Sequence, residues 1–242
     1  MFSSLFLALF VLQEAQDTPA VATTRDVLGK ARDTMGHKPV VGAEVLIARG
    51  SAPKSLRLEK DEKAALPWKY DAGSGVLEIV KGAGDVCTRR KFGDFRMHLE
   101  FATPKNDNPW NNNGNSGVYI QRRYEVQILN SFQRELTKQD CGSLYQQRLP
   151  DVNASRPVGE WQTFDIAFRA ARWKDGKKVA NARITVHHNG KVIHDDVELP
   201  NKTGAGKKEG PEPDFIRLQD HGNAVKFRNA WIIPLETPGL RR

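Results

Sequence analysis

The stretch Phe95-Arg-Met-His-Leu-Glu-Phe101 alternates strictly between apolar and polar side chains. Its apolar residues occupy every second position, and Arg96, His98 and Glu100 occupy the positions between them. Successive side chains of a β-strand point to opposite faces, so this period predicts a strand with one face in a core and one polar face. We therefore expect a sheet protein in which polar side chains line one surface of the sheet.

Short runs of this kind follow one another along most of the chain, separated by turns rich in glycine, asparagine, aspartate and proline. The dipeptide Asn189-Gly190 between two such runs is a strong signal for a β-hairpin. A weak helical pattern covers residues 24–35 and is stopped by Gly36. Many short strands with almost no helix predict an all-β sandwich or barrel. Strands are predicted at 75–80, 95–101, 115–121, 124–129, 161–168, 182–188, 192–194, 215–221 and 225–234.

The composition is that of a globular protein, with 242 residues, 39% hydrophobic and 27% charged. This length suits one domain with a full core, and disorder of the whole chain is not expected. The net charge is +8, but the basic residues are scattered beside turns. No helix-turn-helix, RNA-recognition or zinc-finger pattern accompanies them, so a nucleic-acid partner is not expected.

An apolar run from Leu5 to Leu12 has the length of a signal-peptide core and is too short to span a membrane. We read it as an export signal, with cleavage between about residue 15 and residue 20, and expect a periplasmic or secreted protein. A buried N-terminal element is the alternative reading. The expected organisation is a signal peptide at 1–20, an N-terminal extension at 21–37, one domain at 38–236 and a tail at 237–242.

The chain contains two cysteines, Cys87 and Cys141. Export would permit a disulfide between them, but two cysteines do not establish one. Because no CxxC pair is present, a cysteine-based metal site is not expected.

Polar residues on apolar strands point to a ligand site. In the run 124–129, Tyr124, Val126 and Ile128 are predicted to face the core, which turns Glu125 and Gln127 to the other face. A solvated face is the plain explanation for such a pair. A face that lines a groove is the sharper one.

The same pattern recurs on later strands. Arg217, Gln219 and His221 alternate with Ile216 and Leu218. On the next strand, Arg228 lies on the face opposite Phe227. Carboxylate, amide, imidazole and guanidinium groups together match the donors and acceptors of sugar hydroxyls. We expect these side chains to converge on one polar cleft.

Six short motifs occur together and in order, and on them the sequence resembles the 3-keto-disaccharide hydrolase family over roughly residues 38 to 236. The motifs are Gly93-Asp94-Phe95, Asn115-Ser116-Gly117-Val118-Tyr119, Tyr124-Glu125-Val126-Gln127, Gly159-Glu160-Trp161, Asn189-Gly190, and Leu218-Gln219-Asp220-His221 with Phe227-Arg228-Asn229.

The resemblance implies a concanavalin-like jelly roll of two antiparallel sheets. It also implies cleavage of 3-keto-glucosides by 1,2-elimination, hydration of the 3-keto-2-hydroxyglucal product, or both. By the same resemblance the motif positions expected to line the cleft are Asn115, Glu125, Gln127, Gln219, His221 and Arg228. Trp110, His98 and Glu100 are added as candidate substrate-binding residues.

Such an elimination needs a base, a group that stabilises the enolate, and an acid for the leaving group. Glu125 and His221 are alternative bases, and Arg228 or a bound metal is the candidate stabiliser. A divalent metal is one possibility, held by His98 and Glu100 together with Glu125 and His221. An oxidoreductase that makes the keto sugar is a chemically required earlier step. Three further histidines, His187, His188 and His194, flank a hairpin turn and are expected at the surface.

Two other functions fit part of the pattern. A retaining glycosidase needs two carboxylates about 5–5.5 Å apart, but the run from Glu125 to Asn130 offers one carboxylate. A non-catalytic carbohydrate-binding module would use an exposed tryptophan, for which Trp110 in the asparagine-rich loop is the candidate. Trp68, Trp161 and Trp231 are expected in the core, while the position of Trp173 stays open.

Overall fold

The structure is a computed structural model that describes residues 23–105 and 114–235. The expected signal peptide, Trp110 and the tail at 237–242 lie outside these residues. The chain forms one short helix and fifteen strands among the described residues. These are α1 (Thr24–Leu28), β1 (Glu44–Ile47), β2 (Leu56–Leu58), β3 (Lys69–Asp71), β4 (Val76–Glu78), β5 (Val86–Thr88), β6 (Phe95–Ala102), β7 (Ser116–Ile120), β8 (Tyr124–Ile128), β9 (Gln162–Arg169), β10 (Arg172–Lys174), β11 (Lys177–Ala180), β12 (Ala182–His188), β13 (Lys191–Leu199), β14 (Arg217–Leu218) and β15 (Lys226–Pro234).

Two antiparallel sheets form a jelly-roll sandwich, as the sequence predicts. The larger sheet has eight strands in the order β13-β12-β9-β6-β15-β4-β3, with β1 also paired to β15. The smaller sheet has five strands in the order β2-β5-β14-β7-β8. A separate two-stranded ribbon joins β10 to β11.

Aromatic side chains fill the space between the two sheets. Phe101 and Phe164 pack with ring centroids 4.7 Å apart on neighbouring strands of the larger sheet. Tyr124 of the smaller sheet packs on Phe168 of the larger one at 5.6 Å. Along each strand, side chains that face the core alternate with side chains that face outward. The alternation of apolar and polar residues therefore decides which side of each sheet is core and which is outer surface.

The hairpin at Asn189-Gly190 is confirmed. It joins β12 to β13, and both turn residues have positive φ, 49° and 76°, as a type I′ turn requires. The predicted strand at 215–221 is shorter in the structure, where β14 covers Arg217–Leu218.

The N-terminal extension differs from its prediction. Helix α1 ends at Leu28 because Gly29, at φ 67°, caps it, so the predicted helix over 24–35 is wrong beyond this point. The following segment crosses the hairpin turn so closely that a Cβ on Gly190 would lie 2.7 Å from the backbone nitrogen of Asp33. The extension therefore packs on the outer face of the larger sheet, where α1 contacts β9, β12 and β13.

Cys87 and Cys141 are both buried and free. No helix among the described residues is long and apolar enough to cross a membrane.

Candidate active site on the five-stranded sheet

Three polar side chains form a row across the outer face of the smaller sheet. Strand register places Glu125 of β8 opposite Tyr119 of β7, and Tyr119 opposite Arg217 of β14. Their neighbours Val126 and Val118 are fully buried in the core, so the row faces away from it. Adjacent strands lie about 4.8 Å apart, which brings each side chain of the row within reach of the next.

Glu125 is a buried carboxyl, with 2% of the residue exposed. It lies above Gly117, where an added Cβ would sit 2.4 Å from its Oε1 atom. Burial raises the pKa of Glu125 to about 7, although a hydrogen bond with Tyr119 and the charge of Arg217 act in the opposite direction. A carboxyl that titrates near neutral pH can both accept and release a proton under physiological conditions.

The guanidinium of Arg217 supplies positive charge next to this carboxyl. Its central carbon lies 3.7 Å from the centre of the Tyr119 ring, a cation–π contact. Arg217 also forms ion pairs with Asp85 at 3.4 Å and with Glu59 at 3.6 Å. The arginine is thereby held in place above the sheet, where it can interact with negative charge that develops near Tyr119.

Amide side chains from three strands or strand ends complete the cluster. Gln219 Nε2 donates to the Tyr119 hydroxyl at 3.4 Å, and Gln127 Nε2 donates to Asn115 Oδ1 at 3.5 Å. Tyr119 itself is 1% exposed, and burial raises the pKa of its hydroxyl. Four of the sequence-predicted residues, Asn115, Glu125, Gln127 and Gln219, are therefore brought together.

Several buried polar atoms in this cluster have no hydrogen-bond partner among the described residues. They are Gln127 Oε1, Gln219 Oε1 and Arg217 Nε. An unpaired buried polar atom costs about 1–3 kcal/mol, and such atoms in native proteins need an explanation. A polar ligand that uses them provides one.

The other predicted residues on strands lie elsewhere, which corrects the expectation of a single cleft. Arg228, His98 and Glu100 stand on β15 and β6 of the larger sheet, where strand register pairs Arg228 with Glu100. Their neighbours Phe227, Leu99 and Phe101 point into the core, so these three side chains face outward on the opposite side of the sandwich from Glu125. Alternation predicts which face of a strand is polar, but not the sheet to which the strand belongs.

These three residues form a buried network with the N-terminal extension. Arg228 Nε donates to Glu100 Oε2 at 2.7 Å, and His98 Nδ1 lies 3.0 Å from Asp165 Oδ1. The extension seals the network, since the Thr34 hydroxyl donates to Asp165 at 2.5 Å and the backbone N–H of Gly36 donates to Glu100 at 2.7 Å. The arrangement holds the extension on the sheet.

The network explains two pKa shifts. Burial by itself raises the pKa of Glu100, but hydrogen bonds from His98, Asn229, Arg228 and the Gly36 backbone outweigh it and lower the value to about 2. Burial by itself lowers the pKa of His98, but the hydrogen bonds and charges of Asp165 and Glu100 outweigh it and raise the value. Both groups are therefore stabilised in their charged forms.

His221 lies in the loop after β14 and is exposed, and no hydrogen bond or ion pair between it and Glu125 is found in the described part of the chain. The suggested metal set of His98, Glu100, Glu125 and His221 does not form, because His98 and Glu100 lie on the larger sheet while Glu125 lies on the smaller one. Among residues 23–105 and 114–235, no group of three or more histidines, cysteines, aspartates or glutamates is placed to hold a metal ion.

The three histidines that flank the hairpin turn are buried, so their prediction as surface residues is wrong. His187, His188 and His194 have 5%, 1% and 0% of their surface exposed. His188 Nε2 lies 2.9 Å from Gln162 Oε1, and His194 Nε2 lies 2.8 Å from the carbonyl oxygen of Gly142. Their place beside a hairpin turn suggested exposure, but the loop at 140–155 and the N-terminal extension pack over this end of the sheet.

Two members of the cluster, Tyr119 and Arg217, were not among the predicted site residues, although the sequence pattern places Arg217 on the same polar face as Gln219. Both alternate with apolar residues on strands that also carry predicted site residues, so the signal was present. What the pattern could not show is the register that places Arg217 beside Tyr119 and Tyr119 beside Glu125.

Comparison with solved structures supports the fold. A candidate glycosyl hydrolase from Parabacteroides distasonis is 32% identical, with a TM-score of 0.72 over 81% of this chain and 84% of its own. A second one from the same organism is 23% identical, with a TM-score of 0.53 over 80% of this chain and 99% of its own. The comparison with curated proteins gives no match.

The family model of the 3-keto-alpha-glucoside-1,2-lyase-like domain matches residues 58–233, which is more than half of the chain. The matched range covers β3 to β14, nearly all of β15 and every residue of the cluster around Glu125. This chain belongs to the 3-keto-alpha-glucoside-1,2-lyase-like family.

Proposed function

We propose that this protein is an enzyme of carbohydrate catabolism that cleaves 3-keto-glucosides, with Glu125 as its base. Family membership and the similarity to a candidate glycosyl hydrolase support a carbohydrate-processing enzyme. The observation that carries the finer proposal is the buried Glu125 carboxyl, whose pKa is raised to about 7 and which contacts Tyr119 beside Arg217. Unpaired amide oxygens around it fit a ligand rich in hydroxyl groups.

The chemistry starts from the ketone at C3, which acidifies the hydrogen on C2. The carboxylate of Glu125 takes this proton, and the C2–H electron pair forms an enolate on the C3 oxygen. Collapse of the enolate restores the ketone, forms a double bond between C1 and C2, and breaks the bond from C1 to the leaving oxygen. The leaving oxygen takes up a proton, and addition of water to the product gives net hydrolysis.

The neighbouring groups have roles that match their chemistry. Arg217 is the candidate for stabilising the enolate charge, the role that the sequence suggested for Arg228. The Tyr119 hydroxyl orients the Glu125 carboxyl by a hydrogen bond. Gln127, Gln219 and Asn115 bind sugar hydroxyls in this scheme.

His221 is the alternative acid or base in this proposal. It lies in the loop that follows Gln219, one of the residues proposed to bind the sugar, so its role is tested by a variant of its own. We also propose that the protein is exported, because the apolar run at 5–12 has the length of a signal-peptide core. A sugar 3-oxidoreductase would supply the substrate, because the ketone has to be formed before this reaction.

The test is turnover of a 3-keto aryl glucoside, followed by release of the aryl alcohol and by detection of the enone product. Glu125→Gln should lower kcat by about 10²–10⁴-fold, since a positioned base contributes about that much. A matched pair decides between the two arginines: Arg217→Gln should lose activity and Arg228→Gln should keep it, with circular dichroism as the check on folding. His221→Ala and an assay with chelator complete the set.

Wild-type rates in the Glu125→Gln variant would remove this residue from the mechanism. Binding of sugars without turnover by the wild-type protein would favour the alternative, a non-catalytic carbohydrate-binding module. In that case Glu125→Gln should leave affinity unchanged, and Trp110→Ala should reduce it.

A further inference from the structure

A groove of about 830 Å³ opens on the larger sheet, on the side opposite Glu125. It lies between the β3–β4 hairpin, the start of β15, the end of β6 and the loop before β9. We call it the hairpin groove and define it by six of its lining residues, which are Lys69, Asp71, Glu78, Lys105, Trp161 and Lys226.

Strand alternation fixes the side on which the groove lies. Glu78 and Lys226 are paired across β4 and β15, and their neighbours Leu77 and Phe227 are fully buried in the core. The groove is therefore on the outer face of the eight-stranded sheet, and it is separate from the cluster around Glu125.

The shape of the groove comes from small side chains on its floor and one large ring at its wall. Val76, Ala102 and Ala224 line it without filling it. Gly159 allows close packing at the rim, because an added Cβ would lie 2.4 Å from Lys105 Cγ. Ligand sites of small molecules span about 300–1,000 Å³, so the groove has room for a short oligosaccharide.

Trp161 gives the groove an aromatic surface that is held in place. The Arg228 guanidinium lies 4.0 Å from the centre of the Trp161 ring, and Arg228 is itself fixed by its ion pair with Glu100. Trp161 is half-buried, and no hydrogen bond of its indole N–H is found among the described residues. A ring of this kind offers a flat apolar face and one free donor.

The charges of the groove nearly cancel. Its lining carries three lysines and two carboxylates, a net charge of +1. Lys226 pairs with Glu78 at 3.4 Å, and both side chains are partly exposed. Asp71 accepts from Ser74 and from the Gly73 backbone N–H. Balanced donors and acceptors around an aromatic wall match a ligand that is uncharged and rich in hydroxyls.

We propose that the hairpin groove is a second carbohydrate site that binds a chain of neutral hexoses, with Trp161 stacking on a sugar ring. It would hold a glycan on one side of the sandwich while the opposite face carries the chemistry. The two faces can therefore be tested independently.

The experiment measures binding of cellohexaose and maltohexaose to the full chain by isothermal titration calorimetry, in a Glu125→Gln background that removes turnover. We expect binding of at least one hexasaccharide that is insensitive to salt. Trp161→Ala should weaken it by about tenfold or more, as expected for a central tryptophan. Ala224→Trp, which places a large side chain in the groove and keeps Trp161, should do the same, and it decides the outcome if the Trp161 variant fails to fold.

Trp173→Ala is the matched control, because Trp173 is half-buried on the β10–β11 ribbon and should leave affinity unchanged. Failure of both hexasaccharides to bind, or wild-type affinity in the Ala224→Trp variant, would overturn the proposal. Binding of polygalacturonate alone, lost in 0.5 M salt, would overturn it too, since that pattern reports the net charge of +8 and not the groove. The Trp161→Ala variant should turn over a small 3-keto-glucoside at the wild-type rate. Loss of hexasaccharide binding and loss of turnover are therefore separate results, and the groove proposal can fail while the proposed catalytic site stands.

Discussion

Replacing Glu125 by glutamine should make the protein more stable, even though it should abolish activity. Glutamine has nearly the same shape as glutamate, but it cannot ionise. The folded variant therefore does not have to hold a charged carboxylate that has lost its hydration shell. Burial raises the pKa of Glu125 from 4.5 to about 7, so the folded state holds the proton more tightly than the unfolded state. The stability linked to this group is fully present below pH 4.5 and is lost as the pH rises through about 7.

The size of the effect follows from the same two values. One pKa unit corresponds to about 1.4 kcal/mol, so ionised Glu125 lowers the free energy of unfolding by about 3 kcal/mol above pH 7. Glu125→Gln should recover this amount at pH 8 and almost none of it at pH 4.5. For a domain of this size, about 3 kcal/mol corresponds to a rise in Tm of roughly 6–12 °C.

The assay is thermal and urea unfolding of both proteins at pH values from 4.5 to 8.5, with the difference in unfolding free energy plotted against pH. Glu160→Gln is the control, because it makes the same chemical change at a residue that is exposed in the turn before Trp161. If Glu125→Gln gains no stability at pH 8, or gains equally at pH 4.5, the carboxyl is not a buried group of raised pKa and the reasoning fails.

Three further predictions concern other parts of the molecule. Gly117→Ala should reduce kcat by at least about tenfold with little change in Tm, because the added Cβ would meet the Glu125 carboxylate at 2.4 Å and a shift of about 1 Å at a reacting group is costly; an unchanged kcat would contradict it. Glu100→Gln should lower the free energy of unfolding by about 3 kcal/mol near neutral pH. The pKa of Glu100 is lowered to about 2, so the stability that it contributes is present above pH 4.5 and is lost as the pH falls through 2. Urea unfolding at pH 7 measures the difference, and a loss below about 1 kcal/mol would refute the prediction. Cys87 and Cys141 should not react with a thiol reagent at pH 8 in the folded protein, because burial raises their pKa values to about 11 and about 12; fast labelling without urea would contradict their buried positions.

Much of the local structure could be predicted from the sequence. The alternation in 95–101 and 124–129 predicted strands whose apolar residues are now found in the core, and it separated Val126 from Glu125 correctly. The Asn189-Gly190 turn was predicted from chemistry alone, because few other residue pairs tolerate two positive φ angles. Each of these features depends on neighbours within a few residues along the chain.

The candidate site could be predicted only in part. Gln219 and Arg228 looked alike in the sequence, since each is a polar residue that alternates with a core residue. Pairing of β14 with β7, and of β15 with β6, placed them on opposite sides of the sandwich. The burial of His188 and His194 was missed for a similar reason, because it depends on segments distant in the chain that pack over them.

The pattern of residues along the chain was enough to predict which segments form strands, which side chains of each strand face the core, where the tight hairpin turns, and the family to which the motifs point. Local sterics and the two-residue period of a strand are enough for those features. Which strands are neighbours became known from the folded chain alone. That order puts Tyr119 and Arg217 beside Glu125, and it puts Arg228 beside His98 and Glu100. Sheet order depends on the packing of both layers at once, and no local pattern in a single strand encodes that choice.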